Sequence, residues 1–393
     1  MNILIFGGSF NPPHKGHVNA AKSAVKELKP DKLLVIPDCL PPHKELSADA
    51  PTPEQRLELC RLAFAEVPKA EISDLELRRG GRSYTSDTLH ALREIYPDAR
   101  LTLLVGADML RTIDTWHESE YILRTTAIAA VCRNKGEAES LRIKAGGLRR
   151  KHSAEVRLIG AKPLTASSTE VRAALRSRGG LRLLPEAVYA YIVKHRLYGV
   201  KINFRWLREK GYAMLKPTRV GHVRGCEQEA RKLAERWGAD PDLAAEAAIL
   251  HDCTKKEDLE GQLRLCEKYG IIPDETEARS GKLLHSKTGA AVAEREFGLD
   301  GEAVSAICWH TTGKADMTLL EKVIYMADYI EPSRNFEGVE RLRKLAYEDL
   351  DAAMLLGFEM SRDEVCAGGG TPHVNTLTAI RWYEEKMRER AER

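Results

Sequence analysis

The hydrophobic pattern of this chain changes period about halfway along. Up to about Tyr198, short β-branched runs alternate with stretches whose apolar residues stand three and four apart, the signature of parallel βαβ units. Ile3–Phe6, Lys32–Ile36, Leu101–Val105, Ala127–Val131 and Val156–Ile159 read as strands, and His17–Leu28, Pro53–Val67 and Ser86–Tyr96 as helices. The expectation is a doubly wound α/β sheet. Beyond Tyr198 helical periodicity takes over: Val223, Cys226, Ala230, Leu233 and Trp237 share one face, and similar spacing runs through Leu243–Leu250, Leu319–Ile330 and Ala346–Phe358. The second half reads as all-α.

A length of 393 residues supports this division, because single cores stop growing well below that size. The reading is a first domain over 1–198, a partly helical connection over 199–215 and a second domain over 216–393. With 61 Lys+Arg against 58 Asp+Glu, the net charge of +3 argues against a protein that coats nucleic acid. The basic stretch Arg142–Lys151 reads as solvated surface. No apolar run approaches the ~18 residues that cross a bilayer, and the N-terminal apolar run is only five residues long, with no basic residue before it and no cleavage pattern after it. A cytoplasmic protein without nucleic-acid or membrane partners is expected; self-association is left open. The eight cysteines form no C-x-x-C pair and read as reduced thiols.

Two regions carry chemistry in the first half. The strand ending at Phe6 runs straight into Gly7-Gly8-Ser9-Phe10-Asn11-Pro12-Pro13-His14-Lys15-Gly16-His17 and then a helix. Paired glycines let backbone N–H groups approach an anion, and the helix start adds its positive dipole end, so a polyphosphate is implied on a Rossmann-like sheet. His14 and His17, three apart, can both point at it. Near the end of this half, Ser167-Ser168-Thr169-Glu170-Val171-Arg172 opens a helix. Ser167 and Glu170 fit a simple capping box, while Arg172 stands one turn in, where a guanidinium can clamp phosphate oxygens.

These two strings resemble the nucleotidyltransferase superfamily, and three further stretches resemble bacterial nicotinate mononucleotide adenylyltransferases in particular. Pro41-Pro42-His43-Lys44 is similar to the family's loop over the mononucleotide phosphate, Ser83-Tyr84-Thr85-Ser86-Asp87-Thr88-Leu89 to its pyridine loop, and Gly106-Ala107-Asp108 with Trp116 to its ribose and ring-stacking positions. The resemblance implies ATP at Gly7, Gly8, Ser9, Phe10, His14, His17, Ser168, Thr169 and Arg172, and nicotinate mononucleotide at Lys44, Tyr84, Thr85, Asp108, Trp116 and Arg133. Arg133-Asn134-Lys135-Gly136 departs from the family's usual Arg-Pro-Gly. The nucleophile is then a phosphate whose second pKa of about 6 leaves it ionised, so no general base is needed. Alignment and charge neutralisation by His14, His17, Arg172 and Mg²⁺ accompanying ATP would carry the reaction. Phosphopantetheine is the rival acceptor, against which Trp116 and the Tyr84-Thr85 loop speak.

The helical half holds His222, the adjacent pair His251-Asp252, His285, His310 and Asp328. Imidazoles and carboxylates together suit Fe, Mn or Zn, and six such groups can hold two ions if one carboxylate bridges. His251-Asp252, with Lys255 three residues on, resembles the signature of HD-domain metal-dependent phosphohydrolases. Leu283-Leu284-His285-Ser286-Lys287, Trp309-His310-Thr311-Thr312-Gly313 and Ala327-Asp328-Tyr329-Ile330-Glu331-Pro332 resemble the subgroup that cleaves diadenosine tetraphosphate symmetrically. The resemblance implies one ion on His222, His251, Asp252 and Asp328 and a second on Asp252, His285 and His310, with iron as the metal. Lys255 and Arg334 are expected polyphosphate contacts. The rival reading is a nucleotide-sensing module without turnover.

Overall fold

The computed structural model describes residues 1–41, 50–132, 135–160 and 166–392. The chain divides into two compact units, Met1–Lys201 and Ile202–Arg393.

In the first unit, β1 (Asn2–Gly8), β2 (Lys32–Pro37), β3 (Ala70–Ile72), β4 (Arg100–Gly106), β5 (Ala127–Cys132) and β6 (Val156–Gly160) form one parallel sheet in the order β3-β2-β1-β4-β5-β6. Helices cover both faces of such a sheet, which is why Ile3–Phe6 and Leu33–Ile36 are buried without alternation. β3 has no counterpart in the sequence reading: it is three residues long, with only Ile72 a strong strand former. The order reverses between β1 and β4, and the crevice at their carboxyl ends is where a ligand fits an open sheet of this kind. The helix Lys15–Leu28 leaves β1 there, and Ser168–Arg176 starts nearby, its Ser168 hydroxyl donating to Pro12 O at 3.1 Å. The basic stretch lies within the helix Lys135–His152.

The second unit is helical throughout its regular structure, from Phe204–Ala213 to Val374–Ala391. Phe204–Ala213 packs on Pro241–Leu250 through Gly211, where an added Cβ would stand 3.1 Å from Leu250. The expected helix over Ala346–Phe358 is two helices, Val339–Glu348 and Leu350–Ala367. Asp349 breaks them apart in an extended conformation and caps the second by accepting Ala352 N–H at 3.2 Å. Among the described residues no helix is long and apolar enough to cross a membrane.

Candidate active sites

At the end of β1 the conformational demand falls on Phe10 rather than on the glycines. Phe10 takes φ +43° and packs its ring edge-on against Phe6 and Phe64 at 5.4 and 5.6 Å. Gly7 and Gly8 have ordinary φ, and a Cβ on either would meet protein atoms only at van der Waals distance. What their lack of side chains leaves open is a cavity of about 430 Å³, lined by Gly7, Gly8, Ser9, Tyr84, Thr85, Asp108 and Trp116 among others. Residues expected at two different nucleotides thus face one space. Trp116 is half-buried against the core, and Asp108 projects outward, paired with Arg111 at 2.6 Å.

His14 and His17 lie on the helix side of the same turn, their rings 3.8 Å apart. They form a capping box of an unusual kind: His14 Nδ1 accepts Gly16 N–H at 3.1 Å, and His17 Nδ1 accepts His14 N–H at 3.2 Å. A backbone N–H can only donate, so each neutral ring carries its proton on Nε2 and offers an N–H donor. Arg172 donates to Asn11 O at 2.7 Å and to the Thr169 hydroxyl at 3.2 Å, and Ser167 and Glu170 form the simple capping box that their spacing suggests. Together with Ser168, Arg172 clamps the turn between Phe10 and His14. Lys44 and Arg133 lie outside the described residues.

Polar residues that the sequence reading passed over hold this crevice together. Arg56, 0% exposed, donates to Asp38 at 2.8 Å, to Ser9 O at 3.1 Å and to Cys39 O at 2.8 Å. Asp38 also accepts the Ser9 hydroxyl at 2.7 Å, and Cys39 N–H donates to Ser83 Oγ at 2.9 Å, so the glycine turn is tied to the start of the Tyr84 loop. Glu76 accepts the Thr88 hydroxyl at 2.6 Å on the cavity wall, and burial pushes its carboxyl up. His117 hydrogen-bonds Ser86 at 3.1 Å, and its ring lies tilted against that of Tyr84 at 4.7 Å.

In the second unit, all six expected metal-binding residues converge. His222 comes from the helix Val220–Trp237, His285 from Gly281–Phe297 and Asp328 from Leu319–Ile330. His251 and His310 are the caps that end Pro241–Leu250 and Gly301–Trp309. Asp252, fully buried, stands among them: His251 Nε2 is 3.3 Å and His222 Nε2 3.8 Å from its Oδ2, while His285 Nε2 is 3.2 Å and His310 Nε2 3.8 Å from its Oδ1. Asp328 Oδ1 lies 2.9 Å from His222 Nε2 and 3.9 Å from His251 Nε2. The Asp252 carboxylate therefore spans the two expected ligand groups.

The rings are oriented oppositely to those of the first unit. His251, His285 and His310 donate Nδ1–H to the carbonyls of Ala248, Lys282 and Ile307, each at 2.7 Å, and His222 donates to Glu331 at 3.0 Å. Their Nε2 lone pairs consequently face inward, and His285 and His310 bring theirs to 3.0 Å. Two lone pairs at that distance repel unless a cation shares them. About 3 Å is also the separation of cis ligands on one six-coordinate ion with bonds of ~2.1 Å. His251 Nε2 and Asp252 Oδ1 are buried without a well-directed hydrogen bond. The residues fit divalent metal. Burial pushes His285 down to about 4.

Lys255 Nζ lies 3.0 Å from Asp252 Oδ1, Arg219 Nε 2.5 Å from Asp252 Oδ2 and Arg334 Nη2 2.7 Å from Asp328 Oδ1. These three partly exposed cations rim the carboxylates. Arg219 was missed in the sequence, as was Cys226, whose Sγ stands 3.2 Å from His222 Nε2. The four-residue spacing from His222 would have put that thiol on the same helix face. His222, Cys226, His251 and Asp328 form one potential donor group, and His251, Asp252 and His310 another. A third cluster, Asp274, Glu277 and His373, is a different case: His373 Nδ1 accepts Asn375 N–H, so its Nε2–H is spent on Asp274 at 2.9 Å.

Residues 5–174 match the cytidylyltransferase-like family and residues 219–333 the HD domain. The fold and the two sites thus define a nucleotidyltransferase-type domain followed by a helical domain suited to divalent metal. A Mycoplasma pneumoniae protein described as a probable nicotinate-nucleotide adenylyltransferase/Ap4A hydrolase is 28% identical over 357 residues, covering 89% of this chain and 96% of that protein. A Gemmatimonas aurantiaca protein described as a probable nicotinate-nucleotide adenylyltransferase is 34% identical over 200 residues, 50% of this chain and 92% of its own length. A crystal structure from Clostridium acetobutylicum, described as a predicted HD superfamily hydrolase involved in NAD metabolism, is 36% identical with a TM-score of 0.45, covering 47% of this chain and 97% of that one. The chain belongs to the nicotinate-nucleotide adenylyltransferase family through its first half and carries an HD domain in its second.

Proposed function

We propose that this chain is a bifunctional nucleotide enzyme. The first unit transfers AMP from ATP to nicotinate mononucleotide: a phosphate oxygen of the mononucleotide attacks the α-phosphorus, the bond to the β-phosphate breaks, and pyrophosphate leaves with Mg²⁺. The observation that carries this reading is the single cavity shared by Gly7, Gly8, Tyr84, Thr85, Asp108 and Trp116. His14 and His17 donate from Nε2 to the triphosphate, where charge builds in the transition state. Arg172 adds its charge while holding the turn, Trp116 stacks on the pyridine, worth about 0.5–1.5 kcal/mol beyond burial, and the Tyr84–Thr85 loop receives its carboxylate. Pyrophosphate release with nicotinate mononucleotide, nicotinamide mononucleotide and phosphopantetheine tests this reading; preference for phosphopantetheine would overturn it.

The second unit, in the same proposal, hydrolyses diadenosine tetraphosphate to two ADP. The convergence of four inward Nε2 atoms on Asp252 and Asp328 supports it. When bound, two divalent ions, iron by family resemblance, supply Lewis acidity and make water acidic enough to attack phosphorus at neutral pH. Asp252 reaches toward both ligand groups, the backbone carbonyls and Glu331 fix the rings, and Lys255, Arg219 and Arg334 offset the charge of the polyphosphate chain. Metal analysis of the purified protein and product analysis with diadenosine tetraphosphate check this. AMP with ATP as products, or neither metal nor turnover, would defeat it, the latter outcome favouring a sensing module.

A further inference from the structure

Glu331 has a more exacting place than any role above requires. It follows directly on the helix Leu319–Ile330 and is 1% exposed. Its Oε1 accepts a hydrogen bond from His222 Nδ1–H at 3.0 Å, its Oε2 accepts Ser333 N–H at 2.8 Å, and the Ser333 hydroxyl also donates to Oε1. The other three rings lean on neutral carbonyls, so His222 is the one among the four supported by a full negative charge. The facing helix is cut away to admit it: a Cβ on Gly225, three residues past His222, would stand 2.4 Å from Glu331 Oε2. Arg343 fixes the backbone on either side, donating to Ile330 O at 2.9 Å, Glu331 O at 2.9 Å and Arg334 O at 2.8 Å.

We infer that Glu331 is a positioning residue that selectively strengthens one of the two metal positions. By accepting Nδ1–H it fixes the His222 tautomer and increases the electron density at Nε2, so the ion on the His222, His251 and Asp328 side is held more tightly than neutral carbonyls alone would allow. Gly225 is the space that this carboxylate needs. The inference rests on reading the unit as a two-metal site and adds an asymmetry between the ions.

The test is titration of the full-length, nucleotide-free protein with Mn²⁺, reading free Mn²⁺ by electron paramagnetic resonance and fold by circular dichroism. The wild type should take two ions. Glu331→Gln and Gly225→Ala should each weaken one ion by about 10–100-fold and leave the affinity of the other at its wild-type value. Ser333→Ala, which removes only the hydroxyl's hydrogen bond, should weaken the same ion by a smaller factor and carries the test should the other variants not fold. Unchanged affinities in folded variants would overturn the inference, as would equal weakening of both ions, the mark of a merely structural role. A wild type that takes up no Mn²⁺ would overturn the two-metal reading with it.

Discussion

His285 and His310 face each other through Nε2 atoms 3.0 Å apart, although each ring commits its proton to a carbonyl on the far side. A divalent ion between them turns a repulsive contact into two bonds. Ligands that bind only the folded state add about 2.7 kcal/mol per site at a hundredfold excess over Kd. Chelation should therefore lower the unfolding temperature of the second unit, and Mn²⁺ should restore it. His310→Ala should take up fewer ions and respond less to the chelator. Calorimetry with and without chelator checks both; a transition indifferent to metal would count against the site.

The capping role of His14 can be separated from its chemistry. Asn is as good an N-cap as any residue, so His14→Asn should change stability by less than about 0.5 kcal/mol. Losing a charge-stabilising donor should still slow pyrophosphate formation by about 10²–10³-fold. Urea unfolding and a coupled pyrophosphate assay measure the two effects. A rate loss matched by an equal stability loss would reduce the ring to a cap.

Arg56 and Asp38 form a buried ion pair beside the glycine turn. Arg56→Met leaves the carboxylate buried and unpaired and should cost about 3–5 kcal/mol, whereas adding Asp38→Asn should recover part of that loss. Urea midpoints of the two single variants and the double variant give the coupling. Strict additivity would mean that the pair is not a unit.

Glu76 gives a pH dependence of definite sign. Burial raises its folded-state pKa above the ordinary 4.5, so the folded state binds its proton more readily than the unfolded state does. Its contribution is most favourable at low pH and declines as pH rises from 4.5 through the raised value. Glu76→Gln keeps an acceptor for Thr88 and should stabilise the protein at neutral pH, with the advantage vanishing below the ordinary carboxyl range. A difference between wild type and variant that stays constant from pH 4 to about pH 8 would exclude this.

Much of the architecture was readable because burial on both faces of a parallel sheet writes itself as unbroken apolar runs, as at Ile3–Phe6 and Leu33–Ile36. The helical half was readable from its period, except at Asp349, where one capping side chain splits an otherwise continuous pattern. The histidines stood out through adjacency and motif spacing. Asp38, Arg56, Glu76 and Glu331 did not, because each is a single polar residue within or just past an ordinary element and acquires its meaning from partners 12 to 109 residues away. Arg56 left one trace: it sits on the buried side of its helix beside Leu57, Cys60 and Phe64, where a charge needs a partner. Tautomers are invisible to sequence altogether. The same side chain presents N–H at His14 and a lone pair at His310 because its other nitrogen meets an amide in one case and a carbonyl in the other.

His251 and His310 are the residues at which their helices stop, and His222 and Asp328 come from opposite ends of a long stretch of chain. Ions bound there would work as removable rivets, fastening in the folded state helix ends that no covalent bond joins and letting go when the chain unfolds. On the two-metal reading, how long the helical half endures would be set partly by how much metal its surroundings supply.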